Sequence, residues 1–374
     1  MSRNSGTLKV DILGMTKVKI YGAGSIGNHL AQASRRAGWE VTVVDSDPKA
    51  LARMREDIYP KRYGAWDDSI QLLELGKEPK GGFDVIYLGT PPHVRLSLAT
   101  QVLDEEPKVL QLEKPLCPPA MEGADEFLKK LQTAKTVAII GYDHVLSRVT
   151  RAAEEVIKKN ELGEPLSLDV EFRETWKGIF AAHPWLSGPQ DTYLGFWQKG
   201  GGASGEHSHA TNLWQHFAYL LGLGRVNEVS AVMQMVKDDK VDYDRACFMN
   251  FITDKGFVGR CVQDLQTDPV KKQVRVQFTG GFLEVGIGGW ERGDVLRYAK
   301  NGQSVTEQKI EKTRPDDFYE EILHIQEILD GKLAGKDSPV SIERGFDTMR
   351  VIRAAHESRQ EKRVVAVEKQ NIGL

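Results

Sequence analysis

The stretch Gly200 to Phe217, GGGASGEHSHATNLWQHF, puts Glu206, His207, His209 and His216 within eleven residues, directly behind three glycines. Imidazoles gain and lose a proton near neutral pH and also ligate metals, so the cluster suits proton transfer or a metal. As a metal loop, Glu206, His207 and His209 offer an H-x-H spacing. However, no cysteine lies nearby and no second acid follows at helical spacing, so a metal-free site is expected here. As a helix over 209–221, His209, Asn212 and His216 share one side at i, i+3 and i+7, and Leu213, Phe217 and Leu220 form the adjacent apolar stripe. One edge of that helix would face a polar cleft and the other a core. A set of histidines satisfied within the structure is a third reading, and the local pattern leaves it open.

A second group lies in the first third of the chain. GAGSIG, residues 22–27, fits G-x-G-x-x-G. It follows an apolar strand from Val18 and opens a helical pattern of Ile26, Leu30, Ala33 and Ala37 that stops at Gly38; Asp45 ends the next strand. The context matters more than the pattern, because a dinucleotide needs all of these parts. Gly22 makes the tight turn, Gly24 admits a pyrophosphate, Gly27 lets helix and strand pack, and the helix N-terminus with Ser25 and Ile26 faces the phosphates. Asp45 would accept hydrogen bonds from a ribose diol and repel a 2′-phosphate, which favours NAD over NADP. GTPPHV (89–94) and LEKPL (112–116) end two further strands, so Thr90, Pro91, Glu113 and Lys114 reach the same crevice. Pro115 restrains Lys114 to extended geometry and admits a cis bond.

These residues need a scaffold that brings strand ends together. Strands are expected at VKIY, EVTVVD (40–45), DVIYLG (84–89), KVLQL (108–112) and TVAIIG (136–141), with helical stretches near 48–57, 92–104 and 119–132. Alternation of this kind predicts a parallel sheet covered on both faces. Further on, SLDVEF, NEVSAVMQMV, ACFMNFI, GFVGRCVQ, QVRVQFT and FLEVGI read as successive strands, several joined by short turns. Helices are expected at about 147–160, 209–222, 316–331 and 341–358.

Bulk properties set the frame. The chain has 374 residues, long enough for about two domains, with net charge −3 from 50 basic and 53 acidic residues. No basic block points to nucleic acid, and no apolar run is long enough to span a membrane. The three cysteines, Cys117, Cys247 and Cys261, are scattered, which fits a reducing cytosol. The start, MSRNSGTLKVDILG, lacks the apolar core of a signal peptide.

Taken in order, GAGSIG, VVDSD, GTPP, EKP, GYDH (141–144) and GGG…H resemble the glucose–fructose oxidoreductase / inositol dehydrogenase / MocA-like family over residues 17 to 366. The resemblance implies an α/β protein with a short extension (1–16), an N-terminal Rossmann domain (17–142) and a C-terminal α/β domain (143–374). The C-terminal domain would carry a large, mostly antiparallel open sheet and a final helix that packs back on the first domain. It also implies NAD as cofactor, hydride transfer to or from a hydroxyl carbon of a sugar or polyol, and a homodimer or homotetramer. Lys114 and His209 would be the catalytic pair. Asp143, His144, Glu206 and Asn212 would face substrate, while Trp185 is read from the residues themselves: it lies in the aromatic stretch with Trp176, His183, Tyr193 and Trp197, which suits either a sugar ring or a subunit interface. Two departures stand out. Gly205 occupies the place where many members have an aspartate that orients the histidine, and Arg95 stands where the family's histidine after GTPP is usual. An enzyme that recycles NAD within one turnover and a non-catalytic NAD-binding regulator are the alternatives within the family.

Overall fold

The computed structural model describes residues 15–181 and 183–368; most of the expected extension lies outside them. Six parallel strands make the first sheet: β1 (Lys17–Tyr21), β2 (Glu40–Asp45), β3 (Gln71–Glu74), β4 (Val85–Leu88), β5 (Val109–Glu113) and β6 (Val137–Gly141). Their order is β3-β2-β1-β4-β5-β6, the doubly wound arrangement whose carboxyl edge forms a crevice where the order reverses. VTVV, VIYL and VLQLE are buried along their whole length, as strands covered on both faces must be.

The second sheet has nine strands: β7 (Pro165–Arg173), β8 (Val226–Lys237), β9 (Asp242–Thr253), β10 (Val258–Asp264), β11 (Lys271–Phe278), β12 (Gly281–Trp290), β13 (Gly293–Lys300), β14 (Thr306–Glu311) and β15 (Val365–Ala366). The order is β14-β13-β12-β11-β7-β10-β9-β8-β15, antiparallel except for β7 beside β10. Strands β3, β13, β14 and β15 were not anticipated. GDVLRYAK and TEQKIE are charged, and β14 is an edge strand with five of its six residues exposed, so neither shows a strong apolar alternation.

Seven helices bear on the site: α1 (Ser25–Arg36), α2 (Pro92–Val102), α3 (Asp143–Leu146), α4 (Gly202–Glu206), α5 (Ser208–Leu220), α6 (Arg314–Leu329) and α7 (Ile342–Glu361). α5 lies on the inner face of the second sheet. Trp214 Nε1 donates to Leu168 O at 3.0 Å, and the Trp214 ring meets Phe251 edge-on at 4.9 Å. A Cβ at residue 259 would come within 2.5 Å of Trp214, so β10 carries glycine where the indole crosses it. α7 spans both halves: Asn212 donates to Thr348 at 3.1 Å, Ile140 N donates to Val340 O at 2.9 Å, and Phe346 packs near Phe127. α6 runs against α1, with His29 stacked on Phe318 at 4.5 Å. The buried apolar side chains of both sheets form one continuous core, so the crevice between the halves has packed walls.

Candidate active site

The glycine turn carries out three separate steric tasks. Gly22 has φ +111°, which favours glycine, and its N–H donates to Val44 O at 2.8 Å. At Gly27 a Cβ would lie 1.9 Å from Gly22 O, so helix and turn touch backbone to backbone. Around Gly24, by contrast, a Cβ would meet nothing within 4 Å, so the mouth of α1 stands open to a ligand. Asp45 closes the turn: its Oδ2 accepts from Ala23 N at 2.7 Å and its Oδ1 from Asp47 N at 2.8 Å. Ser25 is held from outside by Arg62, which donates to Ser25 O at 3.0 Å and Ser25 Oγ at 2.9 Å. Ile26, partly buried, packs against the core.

The next two loops share one anchor. Arg95, fully buried on α2, donates to the carbonyls of Thr90, Glu113 and Pro115. One guanidinium thus ties GTPP to EKP, a task a compact ammonium could not perform at three carbonyls. A charged residue inside the apolar run PHVRLSLATQV was the available signal for it. Pro91 caps α2, and the hydroxyl of Thr90 is buried without a hydrogen-bond partner. The Lys114–Pro115 bond is cis. Glu113 lies inside the protein rather than at the crevice surface; burial raises its carboxyl to about 7, countered by Arg95 and Lys114 and reinforced by Asp143.

Lys114 meets the second half directly. Its Nζ donates to the Glu206 carbonyl at 2.9 Å and lies 3.3 Å from Glu206 Oε2. Gly200 packs between Pro92 and Pro115, where a Cβ would come 2.8 Å from Pro92. Gly202, at φ +80°, lies against the buried Asp244, which accepts from Ser204 N at 2.7 Å. The glycines therefore let α4 press onto Asp244 and onto the EKP loop at once. They also explain Gly205: a Cβ there would lie 2.1 Å from Gly200 O, so no aspartate fits.

The carboxylate beside His209 comes from elsewhere. Asp143, at the end of β6, places Oδ1 3.5 Å from His209 Nδ1 and 3.4 Å from His144 Nδ1, and Arg314 reaches its Oδ2 at 3.3 Å. The His144 and His209 rings lie 4.6 Å apart, and Tyr142 meets His209 edge-on at 5.5 Å. Burial holds His209 well below the usual histidine range, offset in part by Asp143, and pushes His144 down to about 3. Burial also works against charge on Asp143, but the neighbouring cations Arg314 and Lys312 hold the carboxyl below its ordinary range. The site is therefore an ionised carboxylate between two neutral imidazoles.

Four residues singled out in the sequence are placed differently. Asn212 sits one turn deeper, hydrogen-bonded to Thr348 of α7 rather than offered to the Lys114 crevice. Trp185 lies over the Arg53 guanidinium at 5.1 Å, so its loop reaches back to the first half of the molecule. His216 pairs with Glu154 at 3.0 Å, and the His207 ring lies near Phe172, so neither joins His209. Of the neighbouring aromatics, Trp176 packs in a small core with Tyr243, and Trp197 stacks on His356. Arg314, far along the chain, left no local signal.

A TrkA-N domain family model matches residues 18–79. No curated protein matches the chain. Solved structures match over nearly the whole length. An oxidoreductase from Agrobacterium radiobacter in complex with NAD+, L-tartaric acid and magnesium has TM-score 0.73 at 16% identity, covering 95% of this chain and 99% of that one. Levoglucosan dehydrogenase in complex with NADH and levoglucosan has TM-score 0.74 at 16% identity, covering 96% and 100%. An NAD-binding oxidoreductase from Klebsiella pneumoniae has TM-score 0.73 at 18% identity, covering 95% and 100%. The chain shares their two-part α/β fold.

Proposed function

We propose that this protein is an NAD-dependent dehydrogenase that moves a hydride between nicotinamide C4 and a hydroxyl carbon of a sugar, polyol or related small molecule. The observation that carries the reading is the convergence of Lys114, Glu206, His209 and Asp143 at the carboxyl edge of the first sheet, beside an open G-x-G-x-x-G turn. Fold neighbours in complex with NAD+ or NADH and with levoglucosan support both cofactor and substrate class. Gly22, Gly24, Ser25, Ile26, Gly27 and Asp45 would hold the dinucleotide, with Thr90, Pro91 and the EKP loop as its further binding residues. NAD supplies the hydride acceptor. The Lys114 ammonium stabilises developing negative charge on the hydroxyl oxygen, and neutral His209, set by Asp143, is free to take the proton. Glu206 fixes the Lys114 side chain, and His144 lines the substrate side.

The parallel domain is assigned to residues 17–142 and the second to 143–374, with assembly into homodimers or homotetramers in a reducing compartment. The test is a thermal-shift comparison with NAD, NADH and NADP, followed by nicotinamide absorbance against sugars, inositols and sugar acids. NAD should raise the unfolding midpoint by mass action and one polyol class should turn over. No shift with any dinucleotide would sink the reading, and a shift without turnover on any panel member would transfer it to the NAD-recycling alternative.

A further inference from the structure

We propose that Asp143, His144 and His209 bind one divalent transition-metal ion of the zinc class, with a coordination position left open. Each side chain offers one ligand atom, and the three atoms lie within 4.8 Å of one another. Oδ1 is 3.4 Å from one nitrogen and 3.5 Å from the other. Metal–ligand bonds of about 2.1 Å at tetrahedral angles put neighbouring ligand atoms about 3.4 Å apart. At that spacing the contacts are long for hydrogen bonds and right for a shared ion. All three atoms are buried and have no hydrogen-bond partner, in residues that are 3%, 5% and 9% exposed. Buried polar groups are normally satisfied, so three orphans this close together call for an occupant.

The surroundings fit a ligand set. Arg314 holds the second oxygen of Asp143, leaving the first to bind alone. Two histidines and one carboxylate with an open position match catalytic zinc and related sites. Imidazole nitrogens and a carboxylate oxygen are donors that such an ion takes. Nearby cations are already paired: Lys312 with Asp294 at 2.8 Å and Asp317 at 2.9 Å, Lys272 with Glu174 at 2.8 Å, and Lys114 with Glu206.

Resting on the dehydrogenase reading, the open position takes the substrate hydroxyl oxygen. The O–H bond breaks with its proton passing to the Glu206 carboxylate and on to solvent. The C–H bond breaks with its electron pair passing to NAD+, and the products are the carbonyl compound, NADH and one proton. With the ion bound, His209 is a ligand and Glu206 takes over the proton-accepting role given to His209 above; the ion adds no redox step of its own.

The experiment titrates Zn2+ into tag-free, chelator-stripped full-length protein against a chromophoric chelator, with NADH fluorescence measured in the same samples. One equivalent should bind, and Asp143→Asn and His144→Ala should each weaken it at least about 100-fold while NADH still binds. Protein that binds NADH but takes up no Zn2+, Co2+ or Mn2+, or variants that bind Zn2+ as tightly as wild type, would overturn the proposal. Bound Zn2+ without NADH binding would uphold the metal site and remove the dehydrogenase reading alone. Should the variants not fold, the visible spectrum of the Co2+ form decides on wild type: mixed nitrogen–oxygen coordination supports the site, and the spectrum of the solvated ion overturns it.

Discussion

At the scale of single residues, the site works by exchanged partners. The missing carboxylate at Gly205 is supplied by Asp143, and Glu206, adjacent to the glycine, attends Lys114 instead. The first follows from one steric fact, the 2.1 Å approach that any Cβ at 205 would make to Gly200 O. Lys114→Met should lower kcat about 1,000-fold with NADH affinity changed less than about threefold, since a positioned charge at the reacting oxygen is lost and little else. Steady-state kinetics beside an NADH titration checks this, and near-native kcat would remove Lys114 from the chemistry. Arg95→Met leaves three buried carbonyls unpaired. It should cost about 3–5 kcal/mol of stability and weaken NADH binding, and Arg95→Lys should not restore either. Thermal melts of the two variants decide whether the guanidinium is the anchor of both loops.

Elements were legible where their pattern was strong. The α5, α6 and α7 helices were expected at about 209–222, 316–331 and 341–358 and lie within three residues of those bounds at either end. Their apolar faces pack on a sheet and repeat at helical period. The reading of α5 erred on its polar side. His209, Asn212 and His216 do share a helix side, but α7 covers the deeper part of it and Glu154 takes its last turn. A helical wheel cannot show a neighbour contributed by residue 348. Helix α6 carries its own pH response. His324 Nε2 lies 2.8 Å from Ser338 Oγ, and burial, with Arg151, lowers its pKa to about 4. Between pH 6.5 and about 4 the unfolded chain binds a proton that the folded chain does not, so this residue's contribution to stability falls as the pH falls through that window. The loss is about 3 kcal/mol across it. His324→Gln does not titrate, so urea unfolding at pH 7 and pH 4 should show the variant losing about that much less than wild type. Equal losses would mean that the imidazole protonates in place.

For the whole molecule, the inner face of the large sheet is spent on α5 and α7, whereas among the described residues β8 and β9 expose apolar side chains on the other face. Val232 and Phe248 sit opposite each other on β8 and β9, 71% and 41% exposed. Large apolar side chains in register on a broad sheet favour a second copy of the chain, consistent with the assembly proposed above. Val232→Asp with Phe248→Asp should shift the mass seen by light scattering to that of one chain while leaving NADH binding intact. A wild type that already runs as a single chain would rule this face out.

The sequence alone determined five of the six parallel strands, because their signals are local: apolar runs between glycines, an acid at a strand end, and a lysine fixed before a proline. Each depends on neighbours within a few tens of residues, so composition and spacing carry it. The tertiary structure decided what no spacing records. Asp143, His144, His209 and Arg314 come from three separate stretches of chain, and only the docking of α5 and α6 against the end of β6 brings them together. A charge on one of them matters to the others because burial removes the water that would screen it, and burial is a property of the packed molecule rather than of any segment.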